Sequence, residues 1–498
     1  MRNAAAALAV ACLAACGADP APSSSAAEGP FDLVIAGGRV IDPESGLDGP
    51  RSVGIRDGRI ASVAEGDLVG AEVVEAAGLV VAPGFIDLHA HGQDAVSSRY
   101  QAMDGVTTAL ELEIGAFPVA RWYARRDGTA RIHYGASVSH QGARIRAMRS
   151  PFALSNADGT FSLGSSTDDA LYRAATDEER GELGRLMEQG LRDGGIGFGF
   201  GLSYTPGASH RELLELFGLA ADYAAPSFVH LRSAAAFSRG GALAPFQEVI
   251  ANAAVTGAPL HIVHLNSTAG ARAEEALAMI RGAQEQGLDV TTEAYPYTAS
   301  ASLIESPLFD GWSGRPAEAY GRLQWVETGE RLTPETFDRY RSRGGWVIMH
   351  GRSEATNEWI VGQPDVMAAS DGIPFSDGRS HPRGAGTFAR ILGYYVRERG
   401  VLSLMDALRK MTLLPAERLQ DIAPALARKG RVRVGSDADL TIFDPERIID
   451  RATYEAPDRY SAGIEHVLVA GTFVVRNGAL VEDATPGRPL HGRHLVPE

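Results

Sequence analysis

The chain has 498 residues, 45% of them hydrophobic and 22% charged, with 57 glycines, and this composition excludes a disordered or fibrous protein. A formal net charge of -15 argues against nucleic acid or an anionic membrane surface as partner, because nothing offsets repulsion by their phosphates. A small-molecule partner and a large buried core, divided into one large domain and a smaller one, are the expectation. The only two cysteines, Cys12 and Cys16, lie at the start, so any metal bound further along must be held by histidine and carboxylate.

Arg2 supplies a minimal positive region, Ala4 to Ala15 form an apolar stretch too short to span a bilayer, and Leu13-Ala14-Ala15-Cys16 ends it. This resembles a bacterial lipoprotein signal over residues 1–16. The resemblance implies export, with Cys16 as the lipidated first residue of a periplasmic protein. Gly17, rather than Asp, beside it implies the outer membrane as destination. Residues 17–30 are small, polar and Pro-rich, as a flexible tether should be. An ordinary secretory signal cut elsewhere is the alternative.

Residues 31–83 show the alternation and the Gly or Asp turns of hairpins, and residues 425–485 repeat the pattern. The economical reading is one small β-sandwich built from both chain ends. Between them come eight extended runs: GFIDLHAH, TTALELE, RIHYGASVSH, GIGFGFGLSY, PSFVHLR, PLHIVHLN, DVTTEAYPY and DVMAASDG. Helix-like segments such as Asp177 to Gly190, Arg211 to Ala224 and Ala271 to Gln286 separate them. Such alternation predicts an α/β protein with a (β/α)8 barrel over residues 84–424, and a doubly wound open sheet is the runner-up. Closure is favoured because polar residues cluster at the carboxyl ends of runs from both halves of the chain. The interval 298–365 is too long for an ordinary crossover and reads as a lid-like insertion.

Residues i and i+2 of a strand face the same way, so His89 and His91 both point into the barrel from the end of the first run. His230 in SFVHLR takes the same strand-end position. His261 and His264 are three apart and face opposite sides, and the one nearer the carboxyl end, His264, is the candidate ligand. Asp371 closes the last run. Neutral imidazoles with a carboxylate are what a hydrolytic divalent-metal centre requires.

Together with GVTT, GLSYTPG, VHLR, IVHLN, EAYPY, SDG, HPR, GTFARIL, MTLLPAERL and GRVRVGSDADL, these motifs run in order from Phe31 to about Arg493. In this they resemble the amidohydrolase superfamily, specifically its D-aminoacylase (N-acyl-D-amino-acid deacylase) branch. The resemblance implies a barrel with a composite β-sandwich, a site for one or two zinc ions, and Asp371 as proton shuttle. It also implies that Tyr297 in EAYPY donates a hydrogen bond to the scissile carbonyl or its oxyanion.

Two departures matter. Those deacylases carry a metal-bridging cysteine just after GVTT, whereas this chain reads GVTTALELEIG. Glu111 and Glu113 share one strand face and Glu113 is nearer the carboxyl end, so Glu113 is the expected bridge, with Glu111 an alternative ligand or a partner that orients one. The family also places a lysine two residues after the histidine corresponding to His264, where Asn266 stands here. Arg383 in HPR is the candidate for the substrate α-carboxylate, and Arg232 a weaker one.

The expected ligand set is therefore His89, His91, Glu113, His230 and His264, and the expected reaction is hydrolysis of N-acyl-D-amino acids or closely related D-configured dipeptides. Asp371 would take the proton of the attacking water and return it to the leaving amine. The rival readings are another amidohydrolase reaction, such as cyclic-amide opening or L-specific dipeptide cleavage, and a lipid-anchored binding protein with a decayed site.

Overall fold

The computed structural model describes residues 30–150, 169–232 and 243–497. The signal-like segment, and all of the tether but Pro30, lie outside the described residues.

Eight parallel strands follow one another around a barrel: Phe85–Asp87, Val106–Ala116, His133–Ser139, Phe198–Gly201, Ser227–His230, Leu260–Ile262, Val290–Ala294 and Val366–Ala368. Their residues are buried almost throughout, as expected where helices cover the outside and side chains fill the inside. Asp177–Arg192 shows how such a helix is specified. Thr176 and Glu179 form a reciprocal cap at its start, and Leu183, Met187, Gly190 and Leu191 recur on the face it turns to the strands.

Backbone bonds at the carboxyl ends join the first strand to the last. Asp371 N donates to His89 O at 2.8 Å and His91 N to Gly372 O at 2.8 Å. Ser370 N reaches the Asp87 carboxylate at 3.0 Å. These contacts distinguish the structure from an open doubly wound sheet, whose outer strands would lie far apart.

The flanking β-rich stretches meet in a single nine-stranded sheet. The N-terminal strand Val80–Pro83 runs antiparallel to Leu440–Phe443 from the other end of the chain, pairing Leu440 with Pro83 and Phe443 with Val80. Alternation then sorts the side chains. Val81 and Ile442 join Leu33, Ile35 and Val53 in one cluster, while Val80, Ala82 and Phe443 pack with Phe85 and Val106 of the barrel. Residues 298–365 hold a smaller sheet of Ser300–Leu303, Leu323–Trp325 and Trp346–Met349, with the last strand in the middle. Its aromatic richness is its own core: Trp325 stacks on Tyr340 at 4.2 Å, and Trp312 on Phe337.

Asp439 fastens the large sheet to the barrel. Its carboxylate receives Lys429 Nζ at 2.6 Å, His133 Nε2 at 3.1 Å and Ala470 N at 2.7 Å. Burial acts to raise its pKa, but the Lys429 charge and the His133 contact outweigh burial and hold it well below the usual carboxylate range. Asp439→Ala leaves Lys429 buried without its nearest counter-charge, and we expect a loss of about 3–5 kcal/mol, read as a lower urea midpoint with unchanged slope at pH 7.

Candidate metal centre

The ligand candidates come from five of the eight strand ends. His89 and His91 follow the first strand, Glu113 lies in the second, His230 ends the fifth, His264 follows the sixth and Asp371 the eighth. Two of these positions are conformationally costly: Asp371 has φ 50° and His264 φ 35°, a left-handed region that costs residues with a Cβ of order 1–3 kcal/mol. Each is tied down by its backbone N–H, Asp371 to His89 O and His264 to Glu293 Oε1 at 2.6 Å. Glu113 is seated through a close strand approach. A Cβ at Gly199 would lie 2.6 Å from Glu113 O and 2.5 Å from Ser137 Oγ, so only glycine fits there.

Glu113 faces two sets of ligands with its two oxygens. Oε2 is 3.3 Å from His89 Nε2 and 3.0 Å from His91 Nε2, and Asp371 Oδ1 is 3.5 Å from the same two nitrogens. Oε1 is 2.6 Å from His230 Nδ1 and 2.8 Å from His264 Nε2. Within each set the ligand atoms lie within 4.8 Å of one another. One carboxylate thus belongs to both.

The tautomers test whether a cation fits. His89 Nδ1 donates to Glu293 Oε1 at 3.0 Å and His91 Nδ1 to Glu111 Oε2 at 2.9 Å, because an ionised carboxylate only accepts. In the neutral rings both Nε2 atoms therefore carry lone pairs, and they face each other at 3.2 Å. His230 Nδ1 and His264 Nε2 are 3.0 Å apart. Ligand atoms around a tetrahedral cation with bonds of about 2.0–2.1 Å lie about 3.3 Å apart, so the spacing suits a divalent ion between the lone pairs.

The charges agree with the geometry. Burial opposes protonation of His89, but Glu113, Asp371 and Glu293 override it and raise its pKa well above the usual value. His91 behaves alike, with Glu111 the strongest opponent of burial. Burial pushes the Glu113 carboxyl up, yet His89 and His230 bring it well below its usual value. At His230 burial prevails and the pKa falls, which keeps that ring neutral. The buried carboxylates thus draw positive charge to the centre, as protons on His89 and His91 or as a cation that replaces them.

Other expected residues are placed differently. Glu111 is not in contact with the second set; it orients His91. Tyr297 is carried away from the cluster, because the chain turns at Pro296 just past its strand, and its hydroxyl donates to Asp450 Oδ2 at 3.2 Å. Asn266 lies in the helix Leu265–Ala269, where strand alternation no longer applies, and its Nδ2 is bound by Tyr295 O and Asn357 Oδ1. Arg232 pairs with Glu248 at 3.2 Å. Arg383 is fully buried with Nη2 2.9 Å from Asp371 Oδ1, while Nε and Nη1 have no hydrogen-bond acceptor among the described residues.

Sequence reasoning passed over Glu293, whose carboxylate also receives His261 Nε2 at 2.5 Å. An acid as the one charged residue of the strand Val290–Ala294 was the available signal. It also passed over Tyr204 of GLSYTPG, whose ring lies 4.8 Å from the His230 ring. Above the centre opens a narrow cleft, walled by Tyr204, Ser267 and Thr268 and, from the 298–365 insertion, by Ser300, Ala301, Leu308, Trp346 and Met349.

Residues 144–475 match the amidohydrolase family. The chain belongs to that family. The amidohydrolase is 33% identical to an N-acyl-D-glutamate deacylase of Alcaligenes xylosoxydans xylosoxydans, over 89% of this chain and 93% of the relative. It is 30% identical to a D-aminoacylase of the same organism, over 89% and 94%. The crystal structure of N-acyl-D-glutamate deacylase from Bordetella bronchiseptica, complexed with zinc and a phosphonate that mimics the reaction's tetrahedral intermediate, superposes with a TM-score of 0.78 at 28% identity. That match covers 93% of this chain and 100% of the other. The amidohydrolase thus sits in the D-aminoacylase branch.

Removing the outer partner of a ligand separates orientation from ligation. Glu111→Gln in this amidohydrolase should weaken zinc binding about 10–100-fold in a chelator competition while leaving every ligand present. Glu113→Ala, which removes the carboxylate common to both sets, should lower the zinc content of the purified protein further than Glu111→Gln does.

Proposed function

We propose that this amidohydrolase hydrolyses the amide bond of N-acyl-D-amino acids, and of closely related D-configured dipeptides, at a zinc centre of one or two ions. The observation that carries this reading is Glu113, shared between two converging ligand sets in a fold of the D-aminoacylase branch. His89, His91, Glu113 and Asp371 would hold one ion, and Glu113, His230 and His264 the other. Bound there, zinc supplies Lewis-acid polarisation of the scissile carbonyl and a lowered pKa for water.

The chain's own groups supply the rest. Burial would raise the Asp371 carboxyl, but the Arg383 guanidinium and the His89 ring lower its pKa, so it is ionised. An ionised carboxylate at the cleft wall takes the proton of the attacking water and passes it to the leaving amine. Tyr204 replaces Tyr297 as donor to the developing oxyanion. Burial raises the Tyr204 pKa far above its usual value, so the hydroxyl keeps its proton. Ser302 Oγ donates to Tyr204 at 3.4 Å, which leaves the Tyr204 proton free to point into the cleft. Arg383, with unmet donors beside Asp371, is the cation for the substrate α-carboxylate. Leu13-Ala14-Ala15-Cys16 and the tether after it support export as a lipoprotein, tested by palmitate labelling: an unlabelled protein has no anchor.

Three outcomes check the chemistry. Zinc-loaded protein should turn over N-acetyl-D-amino acids or L-Xaa-D-Xaa dipeptides, and turnover of L-substrates alone overturns the stereochemical reading. Asp371→Asn should abolish turnover with zinc still bound to the second set; an active variant removes the shuttle role. Tyr204→Phe should lower kcat about 100-fold, whereas Tyr297→Phe stays within about threefold of wild type.

A further inference from the structure

A second cavity, of about 280 Å³, shares no wall residue with the cleft over the metal centre among the described residues. One side of it is the helix Ala95–Met103. The other is the turn after the helix Val119–Ala124, which contributes Arg125 and Arg126, together with Arg131 and Tyr134 at the entry to the third barrel strand. Three arginines thus meet one carboxylate, Asp94, in a chain whose net charge is -15. That carboxylate is already committed as the cap of its helix: Oδ1 accepts from Val96 N and Ser97 N at 2.8 Å each, and Oδ2 from Ser97 Oγ at 2.7 Å.

The arginines are held by groups that leave donors over. Arg126 lies over the Trp122 ring at 3.9 Å and gives Nε to Gln93 O at 3.1 Å and Nη1 to Trp122 O at 3.0 Å, so its Nη2 is uncommitted among the described residues. Burial brings the Arg126 pKa down to about 10, and Glu111 is the foremost of the charges that hold it up, so the guanidinium stays ionised at neutral pH. Arg131 gives Nη1 to Val481 O and Nη2 to Glu482 O, and its buried Nε has no acceptor. The Tyr134 hydroxyl is also buried without a partner. Arg125 makes no ion pair among the described residues.

We propose that this cavity binds a small oxyanion, a phosphate or a short carboxylate, at a site separate from the metal centre. The inference does not rest on the deacylase reading. A buried donor without an acceptor costs free energy, and donors left over on several side chains around one void are explained together by a single ligand that accepts from them. A guanidinium meets either anion through charge-assisted hydrogen bonds, and Arg126 is oriented in advance by Trp122 and Gln93. Ordering that side chain beforehand lowers what binding must spend on it. One water occupies roughly 30 Å³, so a cavity of about 280 Å³ has room for a tetrahedral oxyanion with several waters.

The test titrates the zinc-loaded full chain by calorimetry with inorganic phosphate and, separately, with sodium acetate at constant ionic strength. At least one equivalent of one of these anions should bind with Kd below about 1 mM. Phosphate ahead of acetate assigns the site to a phosphoryl group and the reverse order assigns it to a carboxylate; either order supports the proposal. Arg125→Gln should weaken this binding at least about tenfold, and Arg125→Glu should abolish it, because a like charge then faces the anion. Tyr134→Phe, which removes one hydrogen-bond donor and no charge, should weaken it about fivefold. Each variant should keep the native melting transition and its zinc, since none of these side chains touches a ligand of the centre. An anion held by zinc instead is untouched by all three substitutions, and that outcome overturns the proposal, as does failure of both anions to bind.

Discussion

Lone pairs and carboxylates crowded at one end of a barrel repel one another, and the architecture around the centre is organised to hold them there. In the neutral rings of His89 and His91 the protonated nitrogens are turned outward to Glu293 and Glu111, so the inner nitrogens are left for a cation or a second proton. Barrel closure and the centre are the same event: the bonds that join the first strand to the last run through His89, His91 and Asp371 themselves. A cation at the centre would therefore stabilise the seam of the barrel as well as its ligands, since ion binding to the folded state alone adds to folding stability.

Glu293 ties three elements into this arrangement. Its two oxygens meet the His89 ring, the His261 ring and the backbone N–H of His264, so one buried carboxylate sets a tautomer and anchors a left-handed residue. Burial alone would raise its pKa, and His89 and His261 pull it far down instead, so it stays ionised and keeps accepting. The α/β scaffold supplies the strand ends, and this outer shell turns them into a defined geometry.

How much of this was legible in the sequence follows from where the chain remains a strand. His89, His91, Glu113 and His230 obey period-two alternation or stand at strand ends, and the eight runs that carry them are the eight barrel strands. Inference weakened within two residues of leaving a strand. Asn266, at the position of a family substrate contact, lies in a helix that begins at Leu265, and Tyr297, whose expected role rests on the resemblance, follows a turn of the chain and bonds Asp450. Arg232 found a local carboxylate that spacing alone did not reveal. The insertion was visible as an excess of length and aromatic rings, but its role as a wall of the cleft depends on folding back across the mouth, a long-range contact with no periodic signature. The flanking segments announced themselves as β, yet their union in one nine-stranded sheet is a matter of pairing, which alternation does not specify.

That sheet also imposes an order on events. Its N-terminal strands are made first, but the neighbour of Val80–Pro83 is Leu440–Phe443, so an edge of paired-strand surface stands open until nearly the whole barrel has been synthesised. Such an edge is a template for any other extended chain. A polypeptide emerging from a ribosome or a membrane pore must keep it from mispairing for more than 350 residues, by our count from Pro83 to Leu440. The last strands act as the clasp of the molecule, and a chain shortened by a few dozen residues at that end would lose solubility before it lost any ligand of the centre.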